Sequence, residues 1–191
     1  MGDRAEEVLA FWFAEDEDDP AGPRAVWFEK DPEFDGEIRR RFMDEYERAA
    51  AGELDHWLEQ PRSSLALMLL LDQFPRNLFR GDSRAFATDG KALAAARLAV
   101  ERGFDRELPK LWRWFIYLPF EHSEELADQR RSVELFRASG EDPESAYATD
   151  YAVKHLEIIE RFGRFPHRNK TLGRKSTPEE EEFLTHPGSS F

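Results

Sequence analysis

The chain has 191 residues, of which 40% are hydrophobic and 13% aromatic, and this composition is sufficient for one domain with a buried core. Its formal net charge is −13, which disfavours binding to nucleic-acid phosphates and to anionic lipid. It contains no cysteine, which excludes disulfides, thiol catalysis and thiolate metal sites. Near the amino terminus, the apolar run over residues 8–14 is too short for a secretory or membrane-spanning segment. We therefore expect a cytoplasmic protein that binds neither nucleic acid nor membrane.

Helical periodicity dominates the chain. Phe34, Ile38, Phe42 and Tyr46 recur at every fourth position, and residues 65–71 are apolar on all sides, which indicates a central helix. Proline at the first helical position and capping side chains mark several helix starts. Predicted helices cover residues 4–14 (ended by acidic residues 15–19 and Pro20), 32 to about 52, 61 to the Phe74-Pro75 corner, 89–102, 109–119, 123 to about 138, 143–163 and 178–184.

No window alternates with a period of two, so we predict a single all-α domain over residues 1–191, with seven to eight helices. The predicted starts at Asp89 and Ser123 are separated by the same interval as those at Pro109 and Pro143, and this interval is typical of tetratricopeptide hairpins. We expect stacked antiparallel hairpins in a tetratricopeptide-like superhelix. The W-x2-L-G-x2-Y signature of that repeat is absent, and an irregular helical bundle is the alternative.

One short phrase occurs twice in the chain. The first corner (residues 72–77) reads Asp-Gln-Phe-Pro-Arg-Asn, and the second corner (residues 165–169) reads Phe-Pro-His-Arg-Asn. Each proline is expected to end a helix and fix a turn, which would orient the arginine and asparagine that follow. Asp72 on an apolar helix requires a partner, and an arginine from one of the two corners is the natural one. The alternative to a ligand site is a buried salt bridge that fixes helix packing.

Basic side chains are concentrated over residues 161–175, a segment that contains no acidic residue. Guanidinium groups bind phosphate or carboxylate through two hydrogen bonds at once, so this basic segment is a candidate anion site. The alternative is that it neutralises acidic helix faces of the same molecule. Its cationic and cationisable members are Arg161, Arg164, His167, Arg168, Lys170, Arg174 and Lys175.

Two further segments carry histidine beside other polar groups. Glu121 and His122 are predicted to lie at the start of a helix, where backbone N–H groups favour an anion and where the pair could act as general acid and base. Helix capping is the alternative explanation of this segment. His155 lies on a stripe with Tyr147, Tyr151, Ile158 and Phe162, where a hydrogen-bonded core histidine is more common than a ligand.

Motifs for known cofactors and catalytic centres are missing. The one Glu-x-x-His pattern, Glu53 to His56, is insufficient for a helical di-metal site, which needs two such pairs. Glycine-rich phosphate loops, G-x-S-x-G elbows and dinucleotide fingerprints do not occur. We predict no metal and no cofactor, and the sequence leaves open whether the protein is an enzyme.

Four segments together resemble one known family. LDQFPRN (71–77), LPFEHSE (118–124), FGRFPHRN (162–169) and the closing PGSSF (187–191) resemble the bacterial family catalogued as domain of unknown function 924. The resemblance extends from about Val8 to the carboxyl terminus and implies a single all-helical domain with a tetratricopeptide-like arrangement. It implies no reaction, and therefore no catalytic residues.

Two functions follow as hypotheses. The first is a pocket where the two corners and the Glu121-His122 turn meet, in which Arg76 or Arg168 holds a small anion and His122 or His167 moves a proton. The second is a helical scaffold that binds a partner peptide or helix. A homodimer is compatible with both. The residues predicted for the pocket are Asp72, Gln73, Arg76, Asn77, Glu121, His122, His155, Arg164, His167, Arg168 and Asn169.

Overall fold

The computed structural model describes residues 4–14 and 23–189, which form helices and turns with no strand among them. The all-α prediction is confirmed, and over the described residues there are nine helices rather than seven to eight. They are α1 (Arg4–Phe13), α2 (Pro32–Ala51), α3 (61–78), α4 (Asp89–Arg102), α5 (Phe104–Glu107), α6 (Lys110–Glu121), α7 (Leu126–Ala138), α8 (Pro143–Phe162) and α9 (Pro178–Phe183). Short 3-10 turns cover Ala25–Trp27, Asp55–Glu59, Ser83–Phe86 and Pro166–Arg168. The predicted acidic stop at residues 15–19 and Pro20 lies outside the described residues.

Local capping signals place several helix ends where the sequence predicts them. The Asp31 side chain accepts hydrogen bonds from the backbone N–H groups of Glu33 and Phe34 at 2.9 and 3.1 Å. At α9, Thr177 and Glu180 form a reciprocal capping box. Helix α8 ends at Gly163, whose φ of 68° is left-handed and suits a glycine.

Helix α3 does not end at the first corner, so the predicted stop at Pro75 is wrong. An α-helical stretch over Pro61–Met68 passes into a π-helical turn over Leu69–Gln73 and continues as an α-helix over Phe74–Leu78. Proline has no N–H to bond the carbonyl four residues earlier, which belongs to Leu71. The Thr88 hydroxyl donates to that carbonyl at 2.6 Å instead. The wider turn and this side-chain donor accommodate the proline within the helix.

The predicted boundary between the next helices is also wrong. Helix α6 passes through Pro119 to Glu121, and α7 begins at Leu126 rather than at Ser123. Because α4 and α6 begin at Asp89 and Lys110, the two repeat intervals that looked identical in the sequence are unequal in the structure. The tetratricopeptide-like arrangement therefore remains a proposal.

The chain divides into two compact units. The first unit extends to Arg80 and continues over Arg84–Pro119, and the second comprises Gly81–Ser83 and the residues from Phe120 onward. A single domain over residues 1–191 stays a prediction. None of the helices in the described residues is long and apolar enough to cross a membrane.

In the first unit, α3 is the central helix, as the sequence predicts. It packs against α1, α2 and α4, and every residue from 65 to 71 is buried. Aromatic side chains fill the space around it. Phe74, for example, lies 5.5 Å from Trp12 and 5.3 Å from Phe42, measured between ring centroids.

In the second unit, α7 and α8 form an antiparallel hairpin joined by residues 139–142. The apolar core beside α8 consists of Ile158, Ile159 and Phe165, against which Phe162 and Phe183 pack. Phe165 therefore anchors the second corner to α8.

Candidate functional site

Carboxylates surround the first corner within the first unit. Asp72 is 1% exposed and accepts a hydrogen bond of 2.6 Å from Gln73 Nε2. Its Oδ1 lies 3.6 Å from Arg76 Nη2, so the predicted arginine partner of Asp72 is confirmed. The other terminal nitrogen of Arg76 donates to Asp89 Oδ1 at 2.8 Å and to the Ala85 carbonyl. Arg76 therefore links three segments of this unit.

The asparagine of the first corner is bound to a third carboxylate. Asn77 Nδ2 donates to Asp35 Oδ1 at 2.7 Å, and Arg80 binds the same carboxylate at 2.6 and 2.9 Å. Burial raises the pKa of Asp35, but the hydrogen bonds from Arg80 and Asn77 outweigh it and hold that pKa below its ordinary value. Arg76 and Asn77 of the first corner thus each contact carboxylates of the same unit.

Nitrogen-bearing side chains surround the second corner. Phe165 is fully buried, and the ring of His155 lies 5.5 Å from it and that of His167 5.6 Å. The Arg168 guanidinium carbon lies 4.4 Å from the same ring. Arg168 Nη1 also donates to the His122 carbonyl at 2.9 Å. We call this group the Phe165 cluster. Its members are Glu121, His122, His155, Phe165, His167 and Arg168.

Glu121 and His122 lie at the carboxyl end of a helix rather than at the start of one, so their predicted position is wrong. Glu121 is the last residue of α6, where carbonyl groups rather than N–H groups are exposed. Gln129 Nε2 donates to the Glu121 carbonyl at 2.5 Å and to the Ser123 carbonyl at 2.6 Å. The carbonyl of His122, which lies between them in sequence, accepts a hydrogen bond from Arg168. Because a helix carboxyl end attracts cations, it favours Arg168 and provides no backbone anion site.

His155 is a buried, neutral member of the cluster. It is 4% exposed, and its Nδ1 lies 2.9 Å from the Tyr151 carbonyl and 3.1 Å from Glu121 Oε1. A carbonyl can only accept, so Nδ1 carries the proton and Nε2 is the acceptor. Burial lowers the pKa of His155 to about 3, and the positive charges of His122, Arg168 and His167 act in the same direction.

Glu124 and Arg174 hold the second corner in place. The Phe165 N–H donates to Glu124 Oε1 at 2.8 Å, and Arg174 binds the Glu124 carboxylate at 2.6 and 2.9 Å. Arg174 also donates to the Phe165 carbonyl and to Asn169 Oδ1. Burial raises the pKa of Glu124, but the hydrogen bonds that its carboxylate accepts from Arg174 and from the Phe165 N–H outweigh this effect. The pKa of Glu124 therefore lies below its ordinary value. The sequence prediction missed Glu124, although its motif places it three residues after Glu121.

A second carboxylate, Glu180, holds the other side of this corner. Arg164 binds it through two hydrogen bonds of 2.6 and 2.7 Å, and Asn169 Nδ2 lies 3.3 Å from its Oε2. The Arg164 hydrogen bond lowers the pKa of Glu180 to about 2. Arg161 pairs with Glu179 in the same way, at 2.9 Å. Arg161, Arg164 and Arg174 of the basic segment thus each bind a carboxylate of the second unit.

The predicted site residues therefore fall into three groups. Glu121, His122, His155, His167 and Arg168 lie together in the Phe165 cluster, while Arg164 and Asn169 bind Glu180 beside it. The four residues of the first corner belong to the first unit. One pocket built from both corners stays a prediction. The described ranges contain no group of three histidine or acidic side chains suited to a metal ion.

Sequence and structure comparisons place the chain among proteins of unassigned activity. A family profile described as bacterial protein of unknown function (DUF924) matches residues 8–188. The solved structure of the protein of unknown function ATU0120 from Agrobacterium tumefaciens is 44% identical and has a TM-score of 0.84. The alignment covers 95% of this chain and 96% of the other. No curated protein matches the sequence. The comparisons thus support a shared fold and do not indicate a reaction.

Proposed function

The chain belongs to the DUF924 family of bacterial proteins of unknown function, and we propose that its second unit binds a small anionic ligand at the Phe165 cluster. The ligand would carry a phosphate or a carboxylate. The observation that carries this proposal is the grouping of His155, His167 and Arg168 around the buried Phe165 ring. We assign binding to this site and no reaction.

The partners of the arginines distinguish Arg168 from its neighbours. Arg164 and Arg174 each bind a carboxylate through two hydrogen bonds, and Arg168 donates to the His122 carbonyl and stacks on the Phe165 ring. The two-pronged geometry of guanidinium suits phosphate and carboxylate oxygens.

We assign a role to each member of the cluster. Arg168 holds the charged group of the ligand, and His122 and His167 donate hydrogen bonds to it. His155 stays neutral and, with Glu121, fixes the position of the rings. Arg164 and Asn169 position the corner through Glu180.

The test is a titration with inorganic phosphate and with citrate at constant ionic strength, with chloride as the reference anion. We expect phosphate or citrate to raise the melting temperature of the full chain, since a ligand that binds only the native state stabilises it. Arg168→Met should abolish the shift. Arg161→Met is the matched control, because Arg161 pairs with Glu179 outside the cluster, and it should keep the shift.

Two outcomes would contradict this function. One is that neither phosphate nor citrate, nor any member of a panel of phosphorylated and carboxylated metabolites, raises the melting temperature above chloride. The other is an equal shift in wild type and Arg168→Met.

A second candidate function is a tetratricopeptide-like scaffold that binds a protein partner. The observation in its favour is the α7–α8 hairpin, because paired antiparallel helices are the building unit of such scaffolds. Affinity purification from the native host, with mild crosslinking, should then return the same protein in replicate experiments. Replicates that return no common protein, together with metabolite-induced thermal shifts, would contradict it.

A further inference from the structure

The apolar stripe of α8 is covered along only part of its length. His155 and Ile158 are 4% and 7% exposed, and Phe165 packs beside them. One and two turns earlier on the same stripe, Tyr151 is 37% exposed and Tyr147 is 50% exposed. The segment that follows α8 therefore covers the second half of the stripe and leaves two large aromatic side chains accessible at the first half.

The two exposed tyrosines form a defined surface rather than two independent side chains. Their ring centroids are 4.8 Å apart and their planes are inclined by 44°. A hydrogen bond from one side chain to the other raises the pKa of Tyr147. Because each ring restricts the other, a partner that binds them loses little side-chain entropy. Exposed tyrosines of this kind are enriched at protein–protein contacts.

A lysine side chain of the same helix already contacts this surface. The Lys154 ammonium lies 4.8 Å from the centroid of the Tyr151 ring and 2.6 Å from Asp150 Oδ2. An aromatic face and a carboxylate thus hold one cation jointly. Arginine forms cation–π contacts more often than lysine does, and its planar guanidinium can also stack on the ring.

The charge around the tyrosines is acidic. Four acidic side chains, Glu144, Asp150, Glu157 and Glu160, are exposed on the same helix, against two basic ones, Lys154 and Arg161. The whole chain carries a net charge of −13, so its long-range field also favours a basic partner. We define the tyrosine surface as Glu144, Tyr147, Asp150, Tyr151 and Lys154.

We propose that the tyrosine surface binds a segment of a partner protein that carries arginine or lysine side chains. One cationic side chain of the partner stacks on Tyr147 and pairs with Glu144. A second replaces Lys154 between Tyr151 and Asp150. The contact supplies charge and aromatic stacking, so it is sensitive to salt and tolerant of sequence between the basic residues.

This inference rests on the scaffold proposal, which it deepens by naming a surface and a partner chemistry. It is independent of anion binding at the Phe165 cluster, because it uses exposed residues of α8 and none of the cluster. A partner that binds only elsewhere on the molecule would support the scaffold and refute the tyrosine surface. The two failures are therefore distinguishable.

The experiment uses the full chain and a short synthetic peptide of alternating arginine and glycine with a fluorescent label. Binding is measured by fluorescence anisotropy, against matched peptides in which citrulline or glutamate replaces arginine. We expect saturable binding of the arginine peptide that weakens as salt is added. The citrulline peptide should bind at least about fivefold more weakly, since it keeps the shape of arginine and loses its charge.

Variants then locate the binding surface. Tyr147→Ala should weaken binding of the arginine peptide by about fivefold, while Tyr147→Phe, which keeps the ring, should bind as wild type does. Leu172→Ala is the matched control, because Leu172 is a similarly exposed apolar residue of the second unit and lies outside the tyrosine surface. Its affinity should equal that of wild type. Circular dichroism should show all three variants folded, since the substituted side chains are exposed.

Several results would overturn the proposal. They are no detectable binding of the arginine peptide, equal binding of the citrulline peptide, and equal affinity of wild type and Tyr147→Ala. A further contradicting result could come from the oligomeric state of the chain alone, measured by analytical ultracentrifugation. If wild type is a dimer that Tyr147→Ala converts to a monomer, a second copy of the chain occupies the surface instead. The phosphate-induced thermal shift, measured on Tyr147→Ala, should persist and so keep the two proposals separate.

Discussion

The two corners share a phrase and differ in their surroundings. In the first corner, Arg76 is shared between Asp72 and Asp89, and its proline lies inside a continuous helix behind a π-helical turn. In the second corner, Arg168 lies on the Phe165 ring and bonds a carbonyl, and its proline lies in a 3-10 turn after a complete helix. The two similar motifs thus have different surroundings in the two units.

The difference shows that the Arg-Asn half of the phrase acquires its role from the residues around it. The Phe-Pro half has one role in both corners, since Phe74 and Phe165 are both fully buried. Arg76 contacts two carboxylates, and Arg168 contacts an aromatic ring and a backbone carbonyl. The following predictions test this distinction, beginning with the property that the corners share.

Truncating either corner phenylalanine should have the largest effect. Phe74→Ala and Phe165→Ala each remove a fully buried ring, so we expect each to lower the free energy of unfolding by about 3–5 kcal/mol. Urea denaturation measures the loss. Leu172→Ala, with a half-exposed side chain, should change stability by less than about 0.5 kcal/mol. If one of the two variants loses the expected free energy of unfolding and the other loses almost none, Phe74 and Phe165 do not have equivalent roles.

Removing the two arginines should separate the corners. Arg76→Met leaves the buried Asp72 carboxylate without its guanidinium, and we expect a loss of about 2–4 kcal/mol in the free energy of unfolding. Arg168→Met keeps an apolar stem on Phe165 and removes the hydrogen bond to the His122 carbonyl, so we expect a loss of about 1 kcal/mol. Adding Asp72→Asn to Arg76→Met should recover part of the loss. Equal losses for the two arginines would contradict the distinction between the corners.

The second corner should make stability depend on pH in a range where the first does not. The pKa of His155 is about 3 in the native state and about 6.5 in the unfolded chain, so below pH 6.5 the unfolded state binds the additional proton. Stability is full above pH 6.5 and falls as the pH decreases toward 3. We expect a loss of about 2 kcal/mol between pH 6.5 and 5. The first corner contains no histidine.

Urea denaturation at a series of pH values measures this dependence. His155→Gln should be less stable than wild type at pH 7 and should lose the additional slope between pH 6.5 and 5. A slope that is the same in His155→Gln and wild type would show that His155 is not the group responsible.

The smallest effect should come from the hydroxyl that supports Pro75. Thr88→Val keeps the shape of the side chain and removes the donor to the Leu71 carbonyl, so we expect a loss of about 1 kcal/mol by urea denaturation. Thr88→Ser keeps the donor and should be closer to wild type. If Thr88→Val is as stable as wild type, the carbonyl released by the proline is satisfied in another way.

The sequence predicted the features that depend on neighbouring residues. Asp31 and the Thr177–Glu180 box act within one turn, and the structure has both caps where they were expected. The predicted stops at Pro75 and Pro119 were wrong. At Pro75 the continuation depends on a hydroxyl from another segment, Thr88, which no local pattern identifies. The same limit applies to Glu121, whose helix end is completed by Gln129 and whose following carbonyl is bound by Arg168.

The residues of the Phe165 cluster could be named from the sequence, but their arrangement could not. His155 was recognised as a stripe residue and Arg168 as part of a basic segment, yet their common contact with Phe165 joins α8 to a later turn. Glu124 was missed because its role depends on Arg174, which is distant in the chain. The presence of many arginines did not indicate which of them would meet a carboxylate.

The amino-acid pattern was sufficient for the all-α class, most helix starts, the buried character of α3 and the family of the chain. Each of these follows from interactions within about one helical turn or from motifs read in order. The pairing of Asn77 with Asp35, the neutral state of His155 and the uncovered half of the α8 stripe followed from packing between segments distant in sequence. Charge pairing and burial are properties of three-dimensional neighbours. The two similar corner motifs therefore have different contacts, because different segments pack against them.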